Sequence, residues 1–384
     1  MSGVDRFQRH PAGQVFDGAG RAVVLGAAMG GVHSDRPASL ALSAIGAEAF
    51  RIGGEGPAPE PGPVPVFETL TGGTGGQPRR IRRTQASWIA SFTVNAGLFG
   101  TGSGTSVAIL GRLIHSLALY GAVEAIHLGA DLHLLDELRP DRQRQALASR
   151  SVGLLYATPA QLRLLVEAGG PHLPDLRHVL VGGSKLDPTL RAAMAAMAPA
   201  CALREFYGAA EASFITLSGP GTPEDSVGAA YPGVELRVED GEIWVRSPYL
   251  FEGYASDPGS ARWRDGWLSV GERGELRAGQ LYLKGRAGRM VKVADQAVYP
   301  EEIEAFLLTQ PGITRAAVLP VADALRGHHL VAVVSGDAAE DAVLAALRRR
   351  FGALKAPRAL IRRVDWPMLP SGKTDLAALA RCLP

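Results

Sequence analysis

The sequence predicts an α/β protein: a large N-terminal domain with mainly parallel sheets and a small β-rich subdomain, followed by a small α+β C-terminal domain. Three observations carry that expectation. From Gln85 onward, short apolar runs alternate with helix-length segments, the rhythm of parallel strands joined by crossover helices. After Gly221 the texture changes to short alternating runs punctuated by Gly and Asp-Gly turns, as antiparallel strands are. Past Lys284 a compact βα section completes the chain. The expected divisions are 1–284, with the β-rich part at about 221–284, and 285–384.

The elements follow in order. Residues 53–65, GGEGPAPEPGPVP, read as an extended, solvated connector and the first seam in the chain. A strand-like run follows at 64–70. Residues 86–99 are helix-like, 106–110 form a strand, and 114–128 have helical spacing. Short buried strands are expected at 151–157 and 178–181, with a helix over 159–168 between them. The alternating runs at 235–238, 241–245, 268–276 and 280–283 are the antiparallel set. A helix opening on Pro-Glu-Glu covers 300–309. Strands are expected at 316–320 and 330–334, and a basic-ended helix at 338–350. Its Arg348, Arg349 and Arg350 read as a solvated helix end. Gly100-Thr101-Gly102-Ser103-Gly104 reads as a surface turn, although it looks like a phosphate loop. No internal repeat is evident.

Composition narrows the class. The chain of 384 residues is 46% hydrophobic and 20% charged, ordinary for a globular enzyme of two or three domains. A net charge of +2 with scattered arginines gives no reason to invoke nucleic acid. Cys201 and Cys382 are too few for a disulfide scaffold or a cysteine metal site, so a reducing compartment is the default. Residues 1–14 carry Arg6, Arg9 and His10 without an apolar core, so no secretory signal is expected. No apolar run reaches the roughly 20 residues a membrane helix needs. The expected location is the cytoplasm.

The most informative stretch is Thr71-Gly72-Gly73-Thr74-Gly75-Gly76-Gln77-Pro78-Arg79-Arg80. Glycines let backbone N–H groups turn toward a ligand, threonine hydroxyls add donors, and arginine supplies charge-matched forks, which is how a chain wraps a polyphosphate. The loop is neither a Walker A motif nor G-x-G-x-x-G. Further clusters follow: Tyr207-Gly208-Ala209-Ala210-Glu211, Gly285-Arg286 with Lys292, Pro300-Glu301-Glu302-Ile303-Glu304, and Pro370-Ser371-Gly372-Lys373. Taken singly, these have plain readings. Glu211 would be a carboxylate at a helix N-terminus, Tyr207 a core tyrosine, Lys373 a solvated turn lysine and His115 a packing histidine.

Taken together, in this order and over about residues 64–379, the clusters resemble the adenylate-forming acyl-CoA synthetase family. That family also holds luciferases and the adenylation domains of peptide synthetases. The first segment looks shorter than the family's by on the order of a hundred residues. The resemblance implies ATP-dependent activation of a carboxylic acid to an acyl-adenylate with release of pyrophosphate. Transfer to a thiol, from CoA or a phosphopantetheinyl carrier protein, would follow. It also implies a C-terminal domain that moves between the two half-reactions.

The same resemblance assigns roles residue by residue. Thr71, Gly72, Gly73, Thr74, Gly75, Gly76 and Arg79 would hold the β- and γ-phosphates, with Arg79 where the family usually has lysine. Glu211 would be the Mg²⁺ ligand and a catalytic residue, a hard oxygen donor suited to a cation bridging phosphates. Tyr207 would stack on adenine, with Gly208 beside it; Gly183 and Ser184 would pass alongside the nucleotide. Gly182, Ala209 and His115 would border the acyl group. Lys373 would reach the α-phosphate and the substrate carboxylate, neutralising charge in the transition state. Glu272 and Arg286 would contact ribose, and Gly288 would be the hinge.

Besides Arg79, four positions depart from the family. Ala210 stands for threonine, Glu272 for aspartate, Gly288 for the hinge aspartate, and Asp295 for glycine. The adenylation machinery is thus better matched than the thioester-forming half. Ile114 and Ser116 occupy the place beside His115 where amino-acid-activating relatives carry an aspartate, so the expected acid is aryl or apolar rather than an α-amino acid. Two alternatives remain open at this point: an amine acceptor giving an amide, and a member that binds nucleotide without turnover.

Overall fold

The computed structural model describes residues 5–70, 79–257, 260–294, 296–323, 326–369 and 374–383. Its main feature is one 13-stranded sheet. Six of its strands, Val15–Phe16, Asp131–Leu134, Ser106–Ile109, Leu154–Ala157, His178–Val181 and Ala202–Ala209, run parallel in that spatial order. Those at Ser106–Ile109, Leu154–Ala157 and His178–Val181 are short, apolar and almost wholly buried. Strands covered on both faces read as continuous apolar runs for that reason.

The helices covering this sheet are set by local chemistry. Thr158 and Gln161 form a reciprocal capping box at Pro159–Glu167, and Asp187 caps Pro188–Met197. Gly129, at φ 81°, ends Ser116–Leu128 in the left-handed conformation that favours glycine. The helices Pro140–Ser149 and Pro188–Met197, and the strand Asp131–Leu134, add to those the sequence predicts. The turn at 100–104 is the C-terminal end of Gln85–Phe99, with Gly100 at φ 69°.

Within Ala202–Ala209 the sheet changes character. Residues 202–205 pair in parallel with His178–Val181, whereas 206–209 pair antiparallel with Ser213–Leu217. The remaining main-path strands, Ala229–Ala230, Gln280–Arg286, Trp267–Arg277, Glu242–Arg246 and Glu235–Glu239, continue antiparallel. The antiparallel pattern therefore begins at Phe206, before the change expected at 221. Ala210-Glu211-Ala212 joins the first two strands without a Gly or Asx turn signal.

A second sheet orders Gly253–Tyr254, Arg80–Thr84, Val66–Leu70, Ala49–Ile52 and Gly31–His33. It corrects the reading of 53–65 as a seam. That segment joins Ala49–Ile52 to Val66–Leu70, which are hydrogen-bonded neighbours in one sheet. Buried Arg51 donates to the carbonyls of Gly53, Glu55, Gly56 and Pro57, and lies 2.7 Å from Glu68. Proline- and glycine-rich composition signals an extended backbone. Here a buried cation satisfies its carbonyls and draws it onto the sheet.

In the last quarter, Ile313–Asp323, Gly327–Gly336 and Ala359–Arg362 form a three-stranded sheet. The helices Pro300–Leu308 and Glu340–Lys355 pack on it around Ile303, Leu307, Val318, Leu344 and Leu347. Glu340–Lys355 outruns the expected 338–350, passing a non-helical Gly352 at φ 79°. Arg348, Arg349 and Arg350 are exposed, as the sequence suggests.

Candidate functional site

Glu211 stands at the tip of the hairpin where the large sheet turns from parallel to antiparallel, not at a helix N-terminus. Sterics shape that tip. A Cβ on Gly208 would lie 2.2 Å from the Ser213 carbonyl oxygen, so only glycine allows this approach, and the register shifts between Tyr207 and Gly208. Ser213 takes a positive φ of 56°. The Glu211 backbone is held by the Phe251 N–H, which donates to its carbonyl at 2.8 Å. Its carboxylate accepts a 2.7 Å hydrogen bond from the Tyr254 hydroxyl.

Arg83 anchors the same hairpin from below. Fully buried, it donates to the Ala210 carbonyl at 2.6 Å, to Ser213 Oγ at 2.6 Å and to the Tyr249 carbonyl. Trp88 Nε1 adds a 3.1 Å bond to Ser213 Oγ. Burial lowers the Arg83 pKa to about 9 and the Glu211 charge opposes that shift, so the guanidinium is charged at neutral pH.

Arg79 lies on the other side of Tyr254. Its Cζ is 3.4 Å from the centre of the Tyr254 ring, and Nη2 donates to Ser260 Oγ at 2.5 Å. Tyr254 faces Ile81 across the strand pair formed by Gly253–Tyr254 and Arg80–Thr84. Burial, then the Glu211 charge, raises the Tyr254 pKa, so its hydroxyl stays protonated and able to donate. Thr71, Gly72, Gly73, Thr74, Gly75 and Gly76 lie outside the described residues. The strand ends flanking them, Leu70 and Arg80, are direct cross-strand partners.

A second group lies on the antiparallel strands. Glu272 and Arg286 are cross-strand partners, with Arg286 Nε 3.1 Å from Glu272 Oε1. The Tyr207 hydroxyl is buried and has no well-formed hydrogen bond among the described residues. Burial, followed by Glu272, raises its pKa; Glu211 and Arg286 also act on it, so Tyr207 sits electrostatically between the two groups. A Cβ on Gly182 would meet the Phe206 ring at 2.3 Å, so a larger residue there requires that ring to shift. Gly183, at φ 97°, and Ser184 are exposed beside it. Half-buried His115 forms a bridge with Leu70, the residue that precedes the glycine-rich stretch in sequence.

Lys373 and Asp295 lie outside the described residues. The chain on either side of 370–373 is tied together: Met368 bridges Thr374, and Trp366 Nε1 donates to Thr374 Oγ1 at 3.0 Å. Gly288 is exposed in the short turn Ala287–Arg289. Before it, Arg286 pairs with Glu272; after it, Arg289 pairs with Glu304 at 2.8 Å.

Tyr254 and Arg83 are the residues that sequence reasoning missed. Arg83 was detectable: strict alternation along Arg80–Thr84 puts it on the face of buried Ile81, where a cation needs an explanation. Nothing local marks Tyr254, whose partners are 43 and 175 residues away in sequence. Among the described residues no group of three or more His, Cys, Asp or Glu could hold a metal alone. One carboxylate together with substrate phosphates is a usual donor set for Mg²⁺, and Glu211 fits it.

A hairpin-tip carboxylate and a cation thus meet on Tyr254, with a Tyr–Glu–Arg group on the adjoining strands. The sequence matches the AMP-binding enzyme family over residues 32–255 and the AMP-binding enzyme C-terminal domain over 302–373. The chain belongs to this family, the adenylate-forming acyl-CoA synthetases. It is 31% identical to the uncharacterized acyl-CoA ligase YhfT of Bacillus subtilis, over 80% of this chain and 67% of that protein. It is 32% identical to a 2-succinylbenzoate-CoA ligase of Salmonella typhimurium, over 50% of this chain and 42% of that one. The amide bond synthetase McbA of Marinactinospora thermotolerans superposes with a TM-score of 0.75 at 25% identity, covering 92% of this chain and 79% of McbA. No helix among the described residues is long and apolar enough to cross a membrane.

Proposed function

We propose that the chain activates a carboxylic acid with ATP and Mg²⁺, forming an acyl-adenylate and pyrophosphate, and then transfers the acyl group to a thiol. The observation that carries this reading is that the Glu211 carboxylate at the hairpin tip and Arg79, at the close of the glycine-rich stretch of sequence, both contact Tyr254. In this reading Glu211 ligates Mg²⁺, and Arg79 with residues 71–76 binds the β- and γ-phosphates. Tyr207 takes the adenine, while Glu272 and Arg286 take the ribose. Gly182, Gly183, Ser184, Gly208, Ala209 and His115 border the nucleotide and acyl group. Lys373 joins the α-phosphate to the attacking carboxylate. Magnesium would neutralise phosphate charge when bound.

Domains at 1–284 and 285–384, with Gly288 as hinge, belong to the same proposal. The support is that, on either side of Gly288, Arg286 pairs with Glu272 of the large sheet and Arg289 with Glu304 of the helix Pro300–Leu308. The acid is aryl or apolar, the acceptor CoA or a carrier-protein thiol, and the location cytoplasmic. The likeness to an amide bond synthetase favours one second reading, an amine acceptor. Incubation with ATP, Mg²⁺ and a panel of carboxylic acids, with CoA or with amines, followed by mass spectrometry, separates them. A thioester supports the first reading and an amide the second. Absence of acid-dependent pyrophosphate release across the panel would oppose both.

A further inference from the structure

Tyr254 touches both charged groups assigned to the polyphosphate end of the site. Its hydroxyl holds Glu211 at 2.7 Å, and its ring carries the Arg79 guanidinium at 3.4 Å. The tyrosine is itself fixed. It is 8% exposed, meets Phe251 edge-on at 5.1 Å, and is hydrogen-bonded by its backbone to the strand that leads out of the glycine-rich loop. We propose that Tyr254 is the positioning residue of this site, setting the separation between the carboxylate and the cation through its two faces. The proposal rests on the reading of Glu211 as metal ligand and Arg79 as phosphate contact.

The chemistry is consistent on both faces. An ionised carboxylate offers about four acceptor directions, so one bond from Tyr254 orients Glu211 and leaves others for a cation. On the ring face, a planar guanidinium stacks where an ammonium would act only as a point charge, which gives Arg79 a reason to be arginine. Both contacts depend on one side chain, so carboxylate and cation are placed together rather than independently.

The test is titration calorimetry of ATP binding with Mg²⁺ and in EDTA, for wild type, Tyr254→Phe, Tyr254→Leu and Glu211→Gln, with unfolding midpoints measured alongside. Tyr254→Phe keeps the ring and loses the hydroxyl. It should cut the strengthening of ATP binding by Mg²⁺ roughly tenfold, the scale of one hydrogen bond to a charged group, and leave affinity in EDTA within about twofold. Tyr254→Leu should also weaken binding in EDTA, because Arg79 loses its platform. A merely structural tyrosine would lower the unfolding midpoint in both variants and move neither affinity. That result, or a full Mg²⁺ increment in Tyr254→Phe, overturns the proposal. If Glu211→Gln also keeps the full increment, or wild type binds no ATP, the underlying reading of the site fails as well. If Glu211→Gln loses the increment and Tyr254→Phe keeps it, only the role of Tyr254 falls.

Discussion

Two buried side chains show how much a single position can and cannot announce. Arg83 breaks the apolar phase of its strand and is visible in the sequence once the alternation is written out. Glu124 is not, because it lies within an apolar helix and its partners come from elsewhere. Wholly buried, it accepts from Asn95 Nδ2 at 2.7 Å and from the Tyr156 hydroxyl. Burial raises its pKa from 4.5 to about 7. The folded state therefore binds more protons than the unfolded state between those values, so stability is full below about pH 4.5 and falls until about pH 7. Glu124→Gln cannot ionise. Its stability relative to wild type should rise across that window by roughly 3 kcal/mol and stay level above it. Urea unfolding at a series of pH values checks this, and a difference that ignores pH would contradict it.

At the scale of elements, many strands and helices after residue 85 were legible from their periodicity and the Gly or Pro near their ends, whereas Asp131–Leu134, Pro140–Ser149 and Pro188–Met197 were not. The hairpin around Glu211 was not. Its turn carries no glycine signal; the glycine it needs, Gly208, lies in the strand before the turn, where it permits close approach to Ser213. Residues 53–65 are the largely exposed connector their composition suggests, but not a seam: they join neighbouring strands of one sheet, and their partner Arg51 lies outside the segment. Gly208→Ala must push Ser213 away, moving the hairpin tip. The expected outcome is a loss of about 1–3 kcal/mol in stability. Pyrophosphate release should fall even at temperatures where the variant is fully folded. Thermal denaturation and single-temperature kinetics separate the two effects, and a variant with wild-type values in both would show that the hairpin tolerates a Cβ.

At the scale of the whole molecule, ordered motifs made the family legible, and the match over 32–255 and 302–373 bears it out. The reach of the first sheet and the merging of parallel and antiparallel strands into one sheet needed the structure, because strand pairing is non-local. The proposed hinge, Gly288, lies between Arg286 and Arg289, each paired with a glutamate. A hinge must absorb a large change in φ and ψ, and proline fixes φ near −65°. Gly288→Pro should therefore separate the half-reactions, keeping pyrophosphate exchange while losing thioester yield. Equal losses in both, or none in either, would leave Gly288 an ordinary turn residue.

The central claim is that this chain makes acyl-adenylates, and acid-dependent exchange of labelled pyrophosphate into ATP reads that step alone. Wild type should show exchange that depends on Mg²⁺ and on one or more acids of an aryl and aliphatic panel. Lys373→Ala should lower it by about 10²-fold or more, as expected when a charge that stabilises the transition state is removed. Unfolding midpoints measured alongside should match wild type. Acid-dependent exchange that survives in Lys373→Ala within a few-fold, or its absence in wild type with every acid, would contradict the account.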